Sequence, residues 1–198
     1  MRVLVGCEFS GRVRDAFIAK GHDARSCDLI PSDNGGPHYQ CDIRNAEHLD
    51  WDLGIFFPPC KYICNGGNNW LNRRPDLAWR ENREKAATFF MRLVNFNIPK
   101  IAIENPIGCM STKYRKPDQI IRPWMFGDPS NKDVCLWLKG LPKLKVTHEY
   151  AGPYKHWDVW STERHKNGRD VKAITYPGIA AAMAEQWGNT ITKGGEHR

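Results

Sequence analysis

No run of about 18 apolar residues occurs anywhere in the chain, so a membrane-spanning helix is not expected. A secretory leader is not expected either. The opening MRVLVGCEFSGR passes from one arginine through a short apolar run straight into polar residues, which leaves no room for a leader's hydrophobic region. These two absences predict a cytoplasmic protein with no membrane partner. Internal repeats and low-complexity tracts are also missing, and 198 residues amount to one ordinary domain, or one domain with a small appendage. The cysteines, Cys7, Cys27, Cys41, Cys60, Cys64, Cys109 and Cys135, are odd in number, which argues against a disulfide framework. Cys60 and Cys64 are closely spaced, but no second Cys/His pair joins them, and His156 and His165 have no ligand spacing. No structural metal is therefore expected, and most of these thiols read as small buried hydrophobes.

What the chain does have is a core and a basic surface. Hydrophobic residues make up 41% and charged residues 26%, with a net charge of +7. A basic balance favours polyanions, of which nucleic acid is the commonest.

The order of elements reads as alternating strand and helix. MRVLVGC is a short β-branched strand that ends at Phe9-Ser10-Gly11. VRDAFIAKGH follows as a helix, with Val13, Ala16, Phe17 and Lys20 at three-and-four spacing and Gly21 as its stop. DARSCDLI is a second strand, YQCDI a brief third element, and LDWDLGIFF a strand stopped by Pro58-Pro59. CKYICNGGNNWLNRRPD reads as a polar loop. LAWRENREKAATFFMRLVNFN is the clearest helix, with Ala86, Phe89, Phe90, Leu93 and Val94 on one face, and IPKIAIENP is a buried strand. Residues 108–170 carry much Trp, Lys and Pro and little helical periodicity, although CLWLKGLPKLKV suggests strands or an irregular extension. TYPGIAAAMAEQWGNTI closes as a helix with Ile179, Met183 and Trp187 on one face. The pattern predicts an α/β fold: a doubly wound, mostly parallel, Rossmann-like sheet with a small irregular insertion. The division expected is a core over 1–107, a short variable region over 108–170 and a returning helix over 171–198.

Ligands of such sheets bind at the carboxyl ends of the strands. The unusual residues of this chain fall at those ends: Phe9-Ser10-Gly11, Asp28, Asp42, Pro59-Cys60 and Glu104-Asn105. Two prolines before Cys60 stiffen the backbone, and a rigidly held thiolate is what a nucleophile needs. Lys61 and the basic loop after it are expected to lower the thiol's pKa. A carboxylate that ends a buried strand, as Glu104 does, is costly unless paired or functional.

On these residues the chain resembles the DNA cytosine-C5 methyltransferases. Phe9-Ser10-Gly11 is similar to their first motif, Phe57-Pro58-Pro59-Cys60 to their nucleophile motif, and Ile103-Glu104-Asn105-Pro106 to their glutamate–asparagine motif. Asp28, Cys41-Asp42-Ile43 and the helix from Tyr176 to Trp187 fall in the family's order. KPDQIIRPWMFG, CLWLKGLPKL and TYPGIAAAMAEQWG further resemble a compact phage and prophage group, so the likeness spans nearly the full length and implies a bacterial or phage-infected host cell.

The resemblance implies S-adenosyl-L-methionine as cofactor and DNA, duplex or single-stranded, as partner. It implies Cys60 as the nucleophile at C6, Glu104 as its acid partner at N3, and Pro59 and Asn105 as positioning groups. Phe9, Ser10, Gly11, Asp28, Asp42 and Pro58 would form the cofactor side. Phe9 would pack on adenine, Asp28 would bind the ribose, and Asp42 the adenine amine. Tyr62, Trp70, Arg73 and Arg74, on an aromatic and basic loop, have the composition of a nucleic-acid contact, and Arg164 or Arg169 would stand in for the family's later arginine. The chain departs from the pattern where Arg12, Val13 and Arg14 replace further glycines after Gly11, and where Pro106 often gives way to valine in longer members. The same chemistry on a free nucleotide or modified base is an alternative. A nucleic-acid-binding protein of this fold without catalysis is another.

Overall fold

The computed structural model describes residues 1–67, 77–153 and 174–189. Its strands are β1 Arg2–Gly6, β2 Asp23–Asp28, β3 His38–Gln40, β4 Leu53–Phe56, β5 Lys100–Asn105, β6 Gln119–Ile121 and β7 Val134–Lys139. The helices are α1 Arg12–Ala19, α2 Leu77–Val94, α3 Met110–Lys113 and α4 Pro177–Gly188. All seven strands form one sheet in the order β3-β2-β1-β4-β5-β7-β6. β1 pairs in parallel with both β2 and β4, and β4 pairs in parallel with β5. The chain therefore winds outward in one direction through α1 and β2, then starts again on the other side of β1 with β4. This reversal opens a crevice at the carboxyl ends of β1 and β4. The fold is the doubly wound, mostly parallel, Rossmann-like α/β class that the alternation predicts.

Both faces of the sheet are covered, and the pleat decides which residue goes where. Val3, Val5, Leu53, Ile55, Ala102 and Leu136 pack on one face with Val13 and Phe17 of α1 and Ile179, Met183 and Trp187 of α4. Leu4, Phe56, Ile101, Ile103, Cys135 and Trp137 point the other way, onto Ala87, Phe90 and Leu93 of α2. The helix faces read from spacing are these faces, with Ala86, Phe89 and Val94 at the margin of the second layer.

β7 is the exception to the parallel pattern. It runs antiparallel between β5 and β6, in a register that sets Asn105 against Cys135. Val134, Cys135 and Leu136 are all buried, so this short segment is covered on both faces and belongs to the sheet. Two strands of the sheet thus lie within the 108–170 stretch. Being reversed, β7 brings its beginning, and Lys132 just before it, to the rim where β4 and β5 end.

α4 returns to that rim through fixed contacts. Gly178 N–H donates to Asp128 Oδ2 at 2.9 Å and Tyr176 Oη–H to Ser130 Oγ at 3.0 Å. Arg12 Nη1, at the start of α1, donates to the Thr175 carbonyl at 2.7 Å. Gly178 has no room for a side chain, since a Cβ there would lie 1.9 Å from the Phe126 carbonyl oxygen. Among the described residues, no helix is long and apolar enough to cross a membrane.

Candidate active site

A cavity of about 310 Å³ opens at the carboxyl ends of the strands. Phe9 lines it after β1, Asp28 at the end of β2, Asp42 after β3, Pro58, Pro59 and Cys60 after β4, and Glu104 and Asn105 at the end of β5. Lys132, Val134 and Tyr176 close it from β7 and α4. Residues from seven separate stretches thus meet in one space of the size typical of a small-molecule site.

One half of the cavity wall is built on the turn after β1. Phe9 is 3% exposed and forms part of the wall. Ser10 and Gly11 do not line the cavity; they shape the turn. Ser10 Oγ–H and the Arg12 N–H both donate to Glu8 Oε1. Gly11 has φ +74°, and a Cβ there would sit 2.3 Å from Arg14 Nη2, so both backbone and space call for glycine. Arg14 is buried under this turn. Its guanidinium donates to Ser26 Oγ and Ser32 Oγ at 3.0 Å and to Asn34 Oδ1 at 2.6 Å, and Nε meets Asp15 Oδ1 at 2.8 Å. The turn after β1 and the loop after β2 are therefore held together by one buried cation rather than by close glycine packing. Glu8 is also buried, and withdrawal from water raises its pKa despite the Ser10 and Arg12 hydrogen bonds.

The two aspartates on this side differ. Asp28 ends β2, is 7% exposed, and accepts from the Ile30 N–H at 3.3 Å. Asp42 caps the 3-10 turn Ile43–Asn45 and is held by Arg44 through the backbone N–H at 2.9 Å, Nε at 2.8 Å and Nη2 at 2.6 Å. That fork of hydrogen bonds lowers the Asp42 pKa to about 2. Much of its accepting capacity is already used by Arg44.

The other half carries the nucleophile candidate. After Pro59 the chain turns sharply: the Ile63 and Cys64 N–H groups both donate to the Cys60 carbonyl, at 3.0 and 2.9 Å. This turn is strapped to the loop after β5. Asn65 N–H donates to the Ile107 carbonyl at 3.0 Å and Cys109 N–H to the Ile63 carbonyl at 2.8 Å. Gly108 permits the approach, because a Cβ there would lie 2.0 Å from the Ile63 oxygen. Deeper, Asn105 Nδ2–H donates to the Pro58 carbonyl at 2.8 Å in a buried setting. Asn105 thereby locks the Pro-Pro-Cys segment to the strand end that carries Glu104. Asn105→Ala should cost about 1–3 kcal/mol, because it strands a buried carbonyl. Urea unfolding of the variant beside the wild type measures it, and an unchanged midpoint would remove the lock.

The electrostatics of Cys60 differ from the expectation. Lys61 does not act on its thiol; the Lys61 ammonium sits 5.2 Å over the Tyr62 ring. Among the described residues, the cation that acts on Cys60 is Lys132. A hydrogen bond with Cys64, burial and the Glu104 carboxylate push the Cys60 thiol up, and Lys132 opposes them. Its partner moves the other way. The bond from Cys60 and the N–H groups of Gly67 and Gly66 lower Cys64 to about 6 against the effect of burial. Burial raises the Glu104 pKa, with Lys132 again opposing. An acid and a thiol thus share one cavity wall, each carrying its proton to a higher pH than it would in water.

Several of these parts had no sequence signal. Lys132 is one lysine in NKDV, and only the reversal of β7 brings it to the rim. The CKYIC spacing of Cys60 and Cys64 is visible in the sequence, but spacing alone does not show that the two thiols act on each other. Among the described residues no cluster of His, Cys, Asp and Glu has the makings of a metal site. Tyr62 packs edge-on against Trp79 at 4.7 Å between ring centroids, and does not line the cavity. Trp70, Arg73, Arg74, Arg164 and Arg169 lie outside the described residues.

No protein-family model matches the chain, and no curated protein does. Solved structures that are similar to it include the following two. A protein described as a DNA modification methyltransferase, encoded within a prophage of E. coli, shares 14% identity over 70% of this chain and 46% of its own, with a TM-score of 0.46. The Entamoeba histolytica methyltransferase EhMeth shares 15% over 84% of this chain and 61% of its own, with a TM-score of 0.49. This chain thus spans 46% and 61% of the lengths of those two.

Proposed function

We propose that the chain is an S-adenosylmethionine-dependent methyltransferase that modifies C5 of cytosine in DNA. The observation that carries this reading is the meeting of Cys60 and Glu104, from the ends of neighbouring strands β4 and β5, in one cavity at the point where the sheet reverses.

Cytosine is too electron-poor at C5 to take a methyl group directly. Attack of the Cys60 thiolate on C6 forms a carbon–sulfur bond and pushes electrons toward C5 and N3. Glu104, which burial keeps protonated to a raised pH, donates to N3 and neutralises that charge. C5 is then nucleophilic. When bound, the cofactor would supply a methyl group on a positively charged sulfur, an electrophile that needs no further activation and leaves its electron pair on that sulfur. Loss of the C5 proton and departure of Cys60 restore the aromatic ring. Asn105 holds the Pro58 carbonyl, and so keeps the cysteine segment in register with Glu104. In duplex DNA the base must leave the stack to reach so recessed a thiol.

The residues at the other end of the cavity suit an adenosyl group. Phe9 and Ile43 offer apolar faces, and Asp28 a buried carboxylate for ribose hydroxyls. Asp42 is less suited to the adenine amine alone, since Arg44 already engages both its oxygens. Asp28→Ala should weaken cofactor binding by roughly tenfold, the value of one lost charged hydrogen bond, with little loss of stability. Calorimetric titration with the cofactor checks this, and an unchanged Kd would move the ribose site elsewhere.

Tyr62, Trp70, Arg73, Arg74, Arg164 and Arg169 are proposed to meet the nucleic acid, with the basic surface supplying salt-dependent affinity. The deciding experiment offers methyl-labelled cofactor with unmethylated duplex DNA, single-stranded DNA and dCMP in parallel. Nucleoside mass spectrometry then identifies the product. 5-Methylcytosine in DNA supports the proposal, labelled dCMP alone would move the reaction to nucleotides, and no transfer to any would overturn it.

A further inference from the structure

We infer that Arg12 is a positioning residue for the cofactor: from outside the cavity it holds the Thr175 carbonyl, and so fixes the segment that leads into α4 as a wall of the cavity that Phe9 also lines. The inference rests on the reading of this end of the cavity as the cofactor's.

The body of α4 and its lead-in are held by different forces. Ile179, Ala180, Met183 and Trp187 are buried, and they share one apolar layer with Val13 and Phe17 of α1. Apolar burial on that scale sets where the helix lies. The lead-in is less anchored. Ile174, Thr175 and Tyr176 are only half-buried, and all three line the cavity. Their place depends on polar contacts. Tyr176 Oη–H donates to Ser130 Oγ at 3.0 Å and Gly178 N–H to Asp128 Oδ2 at 2.9 Å, so two of these contacts come from the loop before β7. The third is Arg12 Nη1 on the Thr175 carbonyl, at 2.7 Å. It comes from the other side, the turn after β1.

Arg12 is built into that turn. Its N–H donates to Glu8 Oε1 at 3.1 Å and to Ser10 Oγ at 3.2 Å. Its backbone is thereby fixed to the residues on either side of Phe9, while its guanidinium grips Thr175. One side chain thus ties together two parts of the cavity wall that lie 163 positions apart in the chain. Arg12 itself does not line the cavity, so it acts on a bound molecule through Phe9 on one side and Thr175 and Tyr176 on the other. Its charge supports a second contact. Burial raises the pKa of Asp128, and the Gly178 N–H and the Arg12 guanidinium oppose that rise. Arg12 therefore also favours the ionised Asp128 that receives the Gly178 N–H. The side chain is exposed, so solvent screens its contribution and the expected effect is modest.

The test uses the full chain and the variants Arg12→Ala and Arg12→Lys. Hydrogen exchange read by mass spectrometry, without cofactor, follows the peptide over residues 174–180. Arg12→Ala should speed its exchange about fivefold. The urea midpoint should stay at the wild-type value, because the apolar layer between α1 and α4 is untouched. Calorimetric titration with S-adenosylmethionine should give a Kd about three- to tenfold higher, as for one screened hydrogen bond lost. A single bond to a carbonyl needs no planar fork, so Arg12→Lys should restore most of both effects. Unchanged exchange in Arg12→Ala overturns the inference without recourse to the cofactor. Faster exchange with the wild-type Kd overturns it too, since Arg12 would then hold a segment that the cofactor does not feel. Exchange protection, affinity and urea midpoint that all fall together would make Arg12 a residue of the fold alone, and the positioning role would be lost. A wild type that binds no cofactor would strike the methyltransferase reading, and the positioning role with it. That failure shows in the wild type and not in the variants, so the two are told apart.

Discussion

Cys60→Ser is expected to lower methyl transfer by at least ~10³-fold while leaving cofactor affinity near the wild-type value. A serine hydroxyl at this position is a far poorer nucleophile toward C6 than a thiolate. The fold should tolerate the change, because the turn after Pro59 is held by backbone bonds to the Cys60 carbonyl and not by its sulfur. Two measurements on the same preparation separate the outcomes: labelled methyl transfer, and calorimetric binding of the cofactor. Lost transfer with binding retained assigns the covalent step to Cys60. Transfer at the wild-type rate would mean that no bond to this sulfur is formed, and the cytosine-C5 mechanism would fall with it.

Glu104→Gln should cost about 10²–10⁴-fold in turnover, the usual contribution of a positioned general acid. The same change should alter stability in the opposite sense. The folded-state pKa of Glu104 is raised by burial, so the folded chain holds this proton more tightly than the unfolded chain does. Its carboxyl is thus no burden at a pH below the unfolded value, and destabilises the fold as pH rises through and above that value. Glutamine is neutral throughout. The variant should therefore match the wild type at acid pH and melt at a higher temperature at neutral and alkaline pH. Thermal melts across pH, set beside turnover, test both halves. A wild type whose stability relative to the variant does not decline with pH would mean that Glu104 is ionised at little cost. The role of proton donor to N3 would then be lost.

Much of this architecture is legible along the chain. The strand and helix positions follow from hydrophobic period and from the stops at Gly21 and Pro58. So does the inference that Phe9, Asp28, Cys60 and Glu104 share one rim, because strands of a parallel sheet all end on the same side. These are local properties: each depends on a dozen neighbouring residues and on a rule of winding. The tertiary structure decided the rest. Lys132 became the cation beside Cys60 because β7 runs backward between β5 and β6, and no local pattern encodes a reversal of direction. Lys61, adjacent to Cys60 in the chain, is carried off by the turn that follows the prolines, so proximity in sequence misassigned the charge. Asp42 reads as an adenine ligand in the sequence, and only the fold shows that Arg44 grips it as well. The place of Arg14 makes sense only once Ser26, Ser32 and Asn34 surround it. The pairing of Cys60 with Cys64 depends on a turn whose two ends are pinned by a loop more than forty residues away. Sequence alone therefore determined which residues stand at the strand ends, since winding and period are local. Only the folded chain decided which charges face one another, because electrostatics acts across space between segments that the sequence keeps apart.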